Sequence, residues 1–438
     1  MVIEDKLREN AELYPDKLAV LCNGETYTYA QLYHAVKEKA TSFDGMKGRP
    51  IPVLATSTVE FLITYFAIHL AGAVAVPLHK DIPEKKWNEY TELLSQSASL
   101  ENIADILFTT GTTGNAKAVM ISHQTIFANA ENLVFAHQFS SDLTFIINGP
   151  LNHIGSLSKV YPTIYVGGTI SIIDGMKDIK CFFDAVDSAP TKVATFLVPA
   201  AIRMLVTLWR KELENSADKI DFIETGAAPL SASDMKHFCE LLPKSRLYNT
   251  YASTETGIIC TYNFNANDCI AGCVGQPMKH STFFITNDGH VACKGATLMS
   301  GYWNDAEATQ QILRNGVIIT ADLGYVDDMG RLCLQGRGDD TINIGGYKVA
   351  PSEIEDVVLS FSGVKDCVCI SASHPVIGTV LKLLSVPNND YNRKELIAFL
   401  KERLEPYKVP VLYEEVSIIQ RTFNRKIDRK FYTSPAKK

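Results

Sequence analysis

The sequence predicts an α/β protein with a large N-terminal domain of helix-covered sheets and an antiparallel annex, followed by a small α+β C-terminal domain. Helices and short apolar strands alternate in the first part of the chain, which favours parallel sheets covered by helices. After about residue 270 the pattern changes to hairpins. A linker-like run over residues 336–346 then precedes a last unit of about ninety residues. We therefore expect one domain over residues 1–337 and a second over residues 338–438.

The individual elements follow from apolar periodicity and turn signals. Apolar residues near the N-terminus recur at helical spacing, and the sequence LAVLCNGETYTY predicts two strands joined at an Asn-Gly turn. The polar residues 81–102 predict a connector. The other predicted elements are helix 30–41, strand 51–55, helix 58–70, strands 73–78, 164–173 and 192–198, and hairpins that turn at residues 287–289 and 327–330.

Residues 61–78 resemble a membrane span, because these 18 residues carry no formal charge. His69, Gly72 and Pro77 interrupt this stretch, and its second half is β-branched. We therefore expect a buried helix to about Leu70, a glycine turn and a short buried strand, and no membrane span.

Composition limits the classes of partner. Hydrophobic residues make up 46% of the chain, which is enough for a large core. Lysine and arginine total 42 against 49 acidic residues, a formal charge of −7, which argues against a protein that coats nucleic acid or anionic lipid. Ten cysteines without a CxxC pair, together with a polar N-terminus, predict free thiols and a cytoplasmic location. The oligomeric state stays open.

The run from residue 109 to residue 117 has the composition of a phosphate-binding loop. Its glycines let successive backbone N–H groups point into one concavity, its threonine hydroxyls add donors, and its lysine adds a positive charge. The lysine does not directly follow a glycine, so this is not a Walker loop. The alternative is a threonine-rich surface turn. The predicted phosphate-binding residues are Thr109, Thr110, Gly111, Thr112, Thr113, Gly114 and Lys117.

A second candidate site lies at the open end of the hairpin that turns at residues 327–330. Simple counting from that turn places Asp322 near Gln335 and brings Asp322 and Arg337 within reach of one ligand. An aspartate can accept from both ribose hydroxyls, and a guanidinium can donate to ribose or phosphate. The alternative is a salt bridge across the open end.

The chain resembles the adenylate-forming superfamily of acyl-CoA and aryl-CoA synthetases, nonribosomal peptide adenylation domains and firefly luciferase. The phosphate-loop run matches the signature of that family, and further motifs follow in the family's order over nearly the whole chain. These motifs are TYTYAQLYHAV, FAIHLAGAVAVPL, TGAAPL, NTYASTET, GYWND, ITADLGYVDDMGRL, GRGDDTINIGGYKVAPSEIE and QRTFNRKIDRK.

The resemblance implies a two-step reaction that uses ATP and Mg²⁺. A small carboxylic acid attacks the α-phosphate of ATP to give acyl-AMP and pyrophosphate, and the thiol of CoA, or a phosphopantetheine thiol, then displaces AMP. In this reading Glu255 binds Mg²⁺, Thr254 donates to the α-phosphate, and Asp322 and Arg337 bind the ribose. The residues placed around adenine are Gly226, Ala227, Ala228, Asn249, Thr250 and Tyr251. Plain packing in a turn is the competing interpretation of this last group.

Lys426 is the residue that the resemblance implies for the adenylation step. There it would contact both the substrate carboxylate and the α-phosphate and offset the charge that develops in the transition state. Asp339 matches the family hinge, about which a mobile C-terminal domain rotates to withdraw Lys426 for the thiol step. A solvated basic tail is the alternative for Lys426.

Several motif positions depart from the family pattern. Alanine replaces glycine or proline at several motif positions, and Arg425 stands for the glycine before Lys426. Alanine resists positive φ, so we expect ordinary dihedral angles or mild strain there. No departure removes a charged catalytic group, and an active enzyme is therefore expected. The substituted alanines are Ala116, Ala118, Ala252 and Ala321.

The identity of the acid and of the thiol stays open at this point. The segment Asn148–Ser158 has no carboxylate to pair with an α-ammonium, which disfavours an amino acid. His153 in this segment matches the pattern PLxHxxG of acyl-CoA and aryl-CoA ligases, where the histidine borders the acyl pocket. A small aryl or short acyl acid, succinylbenzoate included, is permitted. The first hypothesis is an acid:CoA ligase; the others are an adenylation enzyme that loads a carrier protein, and a catalytically silent nucleotide-binding homologue.

Overall fold

The computed structural model describes residues 1–110, 116–227, 230, 232–270, 272–337, 342–349, 351–359, 361–420 and 431–432. For residues 110, 116, 200, 233, 335–337, 348, 352, 353 and 356 it describes the backbone alone. The chain divides into two compact units. The first comprises Met1–Lys80, Asn88–Phe108 and Ala118–Arg337, and the second comprises Asp81–Trp87, Thr109–Lys117 and Gly338–Lys438.

Thirteen α-helices lie in the described residues. They are α1 (Ile3–Leu13), α2 (Tyr29–Ala40), α3 (Val59–Leu70), α4 (Glu84–Ser95), α5 (His123–His137), α6 (Ile154–Val166), α7 (Ile179–Ser188), α8 (Pro199–Leu208), α9 (Arg210–Ser216), α10 (Ala232–Leu241), α11 (Ala306–Ile312), α12 (Pro351–Leu359) and α13 (Arg393–Lys401). Three short 3₁₀ helices are Thr41–Phe43, Ala217–Lys219 and Pro406–Lys408.

Twenty-four strands accompany these helices in the described part of the chain. The first twelve are β1 (Leu18–Cys22), β2 (Glu25–Thr28), β3 (Pro50–Ala55), β4 (Val74–His79), β5 (Ile103–Thr110), β6 (Ala116–Ser122), β7 (Leu143–Ile147), β8 (Thr169–Ile172), β9 (Lys192–Leu197), β10 (Ile220–Gly226), β11 (Arg246–Ser253) and β12 (Gly257–Asn263). The others are β13 (Cys273–Pro277), β14 (Ser281–Ile285), β15 (His290–Gly295), β16 (Gly301–Tyr302), β17 (Leu313–Arg314), β18 (Val317–Val326), β19 (Leu332–Arg337), β20 (Ile342–Ile344), β21 (Tyr347–Val349), β22 (Val364–His374), β23 (Gly378–Pro387) and β24 (Leu412–Glu415).

A large mixed sheet carries the α/β body and the annex. Its strands follow the order β14-β15-β18-β19-β13-β12-β11-β10-β9-β7-β8-β1-β2, with β17 beside β18. The pairs among β1, β8, β7, β9, β10 and β11 are parallel, whereas the pairs from β11 through β12, β13, β19, β18 and β15 to β14 are antiparallel. Both the predicted parallel body and the predicted antiparallel annex are confirmed.

A second sheet in the order β16-β6-β5-β4-β3 is covered by α3, whose residues are almost all buried. The Thr58 side chain accepts from Phe61 N–H at 3.4 Å and starts this helix. After Leu70 the chain turns at Gly72, which has φ +71°, and enters β4. The predicted helix, glycine turn and buried strand are therefore confirmed. No helix within the described residues has both the length and the apolar character that a membrane span needs.

The C-terminal part of the second unit is α+β, as predicted. Strand β22 pairs antiparallel with β23, and β24 adds to β23 in parallel. The short hairpin of β20 and β21 precedes them. Apolar residues of these strands and of α12 and α13 form a separate core that includes Val349, Ile354, Leu381 and Leu396.

Two predicted elements were wrong. Residues 81–102 contain the helix α4, which was missed because only Leu94 of its twelve residues is buried, so apolar periodicity is weak there. The predicted strand 164–173 is instead the last turn of α6 followed by the four-residue β8, because Gly167 at φ +72° caps the helix. The β-branched and aromatic residues at the end of α6 are typical of strands, which explains the wrong prediction.

Candidate functional site

Glu255 is held in a tight turn between β11 and β12. The Ser253 and Thr256 hydroxyls lie 2.9 Å apart, and Thr256 N–H donates to Ser253 Oγ at 3.0 Å. The Glu255 carbonyl accepts from Met299 N–H at 2.8 Å. The turn leaves through Gly257 at φ +65°, where a Cβ atom would lie 2.4 Å from the Thr297 carbonyl oxygen. The local sequence therefore fixes the backbone under Glu255.

The Glu255 carboxylate has one hydrogen-bond partner within the described part of the chain. Tyr302 donates its hydroxyl to Glu255 Oε1 at 3.0 Å. Burial, and then the Glu255 charge, raise the pKa of Tyr302, so the phenol stays a donor. Glu255 is half-buried. An oriented, partly exposed carboxylate of this kind is suited to bind Mg²⁺.

Tyr302 also ties Glu255 to the strand that follows the phosphate-loop run. It belongs to the two-residue strand β16, in which Gly301 pairs with Met120 of β6 and Tyr302 pairs with Val119. Trp303 N–H then donates to the Ala118 carbonyl at 2.8 Å. One short strand thus connects three motifs that are far apart in the sequence.

A second tyrosine–carboxylate pair involves Tyr251 and Asp322. The Tyr251 hydroxyl donates to Asp322 Oδ2 at 2.6 Å and lies 3.3 Å from Thr320 Oγ1. Burial, and then the Asp322 charge, raise the pKa of Tyr251 well above its ordinary value. Asp322 pairs with Arg337 across β18 and β19, not with Gln335. Val326 pairs with Leu332, so the connection is one residue longer than the predicted turn, and a bulge between Leu323 and Gly324 shifts the register by one more residue. This corrects the predicted neighbour and places Asp322 and Arg337 directly opposite each other.

The adenine-side residues lie at the carboxyl ends of two adjacent parallel strands, β10 and β11. Gly226 pairs with Thr250, and a Cβ atom on Gly226 would lie 2.6 Å from the Thr250 carbonyl oxygen. Ala227 follows at φ +67°, a left-handed conformation that costs a non-glycine residue roughly 1–2 kcal/mol. The carboxyl ends of parallel strands are a common place for ligands. The strain of Ala227 was not predicted, whereas Ala118, Ala252 and Ala321 have no positive φ, as expected.

Asn249 and Thr250 of β11 are hydrogen-bonded to other protein groups. The Asn249 amide donates to the Cys273 carbonyl at 2.9 Å, and the Thr250 hydroxyl lies 3.0 Å from Thr261 Oγ1. Both residues are buried. Their predicted contact with the nucleotide stays a prediction, and Thr254, buried in the turn next to Glu255, stays one as well.

His153 is the N-cap of α6. Its Nδ1 accepts from Gly155 N–H at 3.2 Å, a contact that fixes the ring. Phe196, near the end of β9, lies close to both Gly155 and Gly226. A Cβ atom added to Gly155 would lie 3.5 Å from the Phe196 ring, and one added to Gly226 would lie 3.7 Å from it. Phe196 therefore lies between the start of α6 and the end of β10. Sequence reasoning missed it, because an apolar residue inside a buried strand carries no signal of its own.

A buried cluster of charges next to these strand ends was also missed. Lys159 of α6 donates to Glu224 Oε1 of β10 at 2.7 Å, and the two side chains are 3% and 1% exposed. His137 Nδ1 lies 3.6 Å from Glu224 Oε2. The lysine inside the apolar helix IGSLSKVYPTIYV was the available signal. Glu224 directly precedes Thr225 and Gly226, so this cluster supports the adenine-side loop.

Part of the predicted site lies outside what the structure describes. This applies to Gly111, Thr112, Thr113, Gly114, Ala228, Asp339 and Lys426, and to the side chains of Thr110 and Arg337. Thr109 and Lys117 are both half-buried at the two ends of the phosphate-loop run.

Family models match most of the chain. The model described as AMP-binding enzyme matches residues 7–92 and 81–303, and the model described as AMP-binding enzyme C-terminal domain matches residues 353–426. A 2-succinylbenzoate–CoA ligase of Bacillus cereus is 26% identical over an alignment that covers 92% of each chain.

Solved structures with the same fold include two enzymes of different named activity. An o-succinylbenzoate CoA synthetase of Bacillus subtilis, in a double-mutant form bound to a product analogue, matches with a TM-score of 0.84, 23% identity and coverage of 98% of each chain. An amide bond synthetase of Marinactinospora thermotolerans matches with a TM-score of 0.86, 21% identity and coverage of 99% of each chain. At these identities the structural matches show the fold alone.

Proposed function

Because the chain belongs to the family of AMP-binding enzymes, we propose that it is an AMP-forming acid:CoA ligase. A carboxylate oxygen attacks the α-phosphorus of ATP and pyrophosphate leaves, and the CoA thiolate then attacks the acyl carbon and AMP leaves. The observation that carries the proposal is the pair of tyrosine–carboxylate contacts, Tyr302 with Glu255 and Tyr251 with Asp322. Both carboxylates are family-motif residues, and each is oriented by a phenol.

Different residues among those described would bind the different parts of ATP. Glu255, fixed by its turn and by Tyr302, would hold Mg²⁺, which supplies charge neutralisation to the phosphates. Asp322 would accept from the ribose hydroxyls, with Arg337 opposite it in the register. Gly226 and Ala227 would offer backbone to the adenine where a side chain on Gly226 does not fit. Phosphoryl transfer asks a protein mainly for this kind of alignment.

Lys426 is the proposed catalytic residue of the first step only. The test measures both half-reactions in Lys426→Ala: formation of acyl-AMP from ATP and acid, and formation of thioester from preformed acyl-AMP. We expect the first rate to fall at least a hundredfold, as for loss of a transition-state contact, and the second to stay near wild type. Lys430→Ala, which removes the last lysine of the motif QRTFNRKIDRK, is the matched control. Equal losses in both half-reactions would contradict rotation of the C-terminal domain about Asp339.

Aryl and short acyl acids are the proposed substrates, and 2-succinylbenzoate is the first acid to try because the Bacillus cereus relative is named for it. The described residues support rejection of amino acids. The Asn148 amide donates to Thr195 Oγ1 at 2.7 Å, and the Glu224 carboxylate on β10 is paired with Lys159. An α-ammonium would meet no available carboxylate from these residues.

Pyrophosphate exchange into ATP tests the function directly. Short, fatty, aryl and amino acids are compared with Mg²⁺ present and no thiol. Exchange with aryl or short acyl acids is expected, and thioester should then form with free CoA. Exchange confined to amino acids would refute the substrate class, and transfer to a carrier protein but not to CoA would refute the acceptor. Absence of exchange from folded protein that binds ATP would favour a catalytically silent homologue.

A further inference from the structure

Three helices of the first unit bring together two histidines and a glutamate, none of which is a predicted site residue. Glu4 lies in α1, His69 in α3 and His123 at the first position of α5. Their ligand-type atoms all lie within 4.8 Å of one another. Glu4 is 5% exposed and His69 is 4% exposed.

Two polar atoms of this group are buried and lack a hydrogen-bond partner among the residues that the structure describes. They are Glu4 Oε2 and His123 Nδ1, and they lie 3.8 Å apart. An orphaned carboxylate oxygen facing an orphaned imidazole nitrogen costs free energy unless a cation or a water lies between them. Both atoms belong to residues that line one cavity of about 200 Å³. The cavity gives an ion room and an entry path.

His69 is oriented for a metal by a second carboxylate. Its Nε2 lies 3.0 Å from Asp105 Oδ1, and Asp105 in turn accepts from the Tyr65 hydroxyl at 2.9 Å. A carboxylate on one ring nitrogen fixes the tautomer that presents the other nitrogen to a metal ion. That other nitrogen, Nδ1, lies 2.7 Å from Glu4 Oε1.

We propose that Glu4, His69 and His123 bind a Zn²⁺ ion, with a water molecule from the cavity as the fourth ligand. One carboxylate and two imidazoles with an open fourth position are a ligand set that zinc accepts. Zinc bonds of about 2.0–2.2 Å put tetrahedral ligands roughly 3.4 Å apart. Glu4 Oε1 lies 2.7 Å from His69 Nδ1 and Glu4 Oε2 lies 3.8 Å from His123 Nδ1, on either side of this value. All three ligand-type atoms lie within 4.8 Å of one another, so small side-chain rotations would complete the site.

Charge also favours the ion. The carboxylates of Glu4 and Asp105 are the acidic groups in contact with His69, and Zn²⁺ would balance both once the proton on His69 Nδ1 has left to solvent. Arg8 lines the cavity as well, but its half-exposed guanidinium lies 3.6 Å from Asp5 and 3.9 Å from Glu12. The Arg8 guanidinium is therefore paired with the carboxylates of Asp5 and Glu12.

Cobalt titration of the untagged, chelator-treated full-length chain tests the proposal. Co²⁺ in a four-coordinate nitrogen and oxygen site gives intense visible absorption, whereas thiolate ligands add strong near-ultraviolet charge transfer. We expect one Co²⁺ per chain without the thiolate bands, displacement by Zn²⁺, and a rise in Tm with Zn²⁺. Absence of visible absorption, or the appearance of thiolate bands, would overturn the proposal.

Two variants and one control locate the site. His123→Ala, at a partly exposed position, and the nearly isosteric Glu4→Gln should each abolish the cobalt spectrum and the Zn²⁺-dependent rise in Tm. His34→Ala removes an exposed histidine of α2, 74% exposed in its side chain, and should keep both. Wild-type cobalt spectra in the first two variants, with native circular dichroism, would place any bound metal elsewhere and refute the assignment.

Discussion

His69 and His137 are both buried histidines, but the charges that shift their pKa values have opposite signs. His69 contacts the carboxylates of Glu4 and Asp105 at 2.7 Å and 3.0 Å. His137 stacks on Tyr248 with ring centroids 4.2 Å apart, and the cations Lys159 and Arg246 lie close enough to affect its titration.

The pKa values of His69 and His137 are therefore shifted in opposite directions. Burial lowers the pKa of each imidazole, because it disfavours the charged form. At His69 the two carboxylates outweigh burial and raise the pKa to about 10. At His137 the two cations act in the same direction as burial and lower the pKa well below its ordinary value. Burial alone therefore does not set the charge of a histidine; the neighbouring charges decide it.

The largest expected effect comes from Glu224→Gln in the His137 region. It leaves the Lys159 ammonium buried without an anion, and we expect a loss of about 3–5 kcal/mol in the free energy of unfolding. Urea unfolding measures it. Asp218→Asn is the control. It breaks the exposed ion pair between Asp218 Oδ1 and Lys244 Nζ, which lie 3.0 Å apart, and should not measurably change the free energy of unfolding. A Lys159→Met, Glu224→Gln double variant should recover stability; equal losses in the single and double variants would refute the pairing argument.

Tyr65→Phe tests the His69 region and has a smaller expected effect. The change removes a hydroxyl that donates to Asp105, which costs about 1.5–3 kcal/mol for a bond to a charged group. The Tyr161 hydroxyl, 3.4 Å from the same oxygen, should hold the loss near the lower end. Pyrophosphate exchange at low temperature should stay at the wild-type rate, because neither Tyr65 nor Asp105 is a predicted site residue. A loss of exchange without loss of fold would contradict that separation.

The last expected effect, comparable in size with that of Tyr65→Phe, is the pH dependence that His137 imposes. Below pH 6.5 the unfolded chain binds a proton at this position, but the folded chain does not, so the free energy of unfolding falls as the pH falls. The slope is about 1.4 kcal/mol per pH unit until the folded pKa is reached. The groups that face His137 are Lys159, Glu224 and Arg246.

The comparison between wild type and His137→Gln isolates this slope. Urea unfolding is measured from pH 8 to pH 5. Glutamine can keep a hydrogen bond to Thr261 but does not titrate, so the two curves should be parallel above pH 6.5 and diverge below it, with the wild type losing more stability. Parallel curves over the whole range would show that His137 titrates normally in the folded chain.

Local patterns predicted the elements and motifs well but not the contacts between them. The helix to Leu70 and the strand after Gly72 follow from local periodicity, and so do the hairpins. The pair of Lys159 and Glu224 joins residues 65 positions apart, which no local pattern encodes. Asp322 lies opposite Arg337 because the connection is one residue longer than the predicted turn and because of a bulge, and counting from the predicted turn reveals neither. The left-handed Ala227 was missed because alanine gives no turn signal.

The two-residue strand β16 has a consequence for how the chain is made. Without it, β6 is the edge of the remaining four strands, since the Ser300 and Trp303 N–H groups supply its outer hydrogen bonds to Met120 and Ala118. A ribosome must therefore synthesise about 180 more residues after β6 before its edge is covered. During that time the nascent chain carries an open apolar edge, where pairing with another chain is favoured. Chaperone dependence of synthesis should be concentrated in this interval.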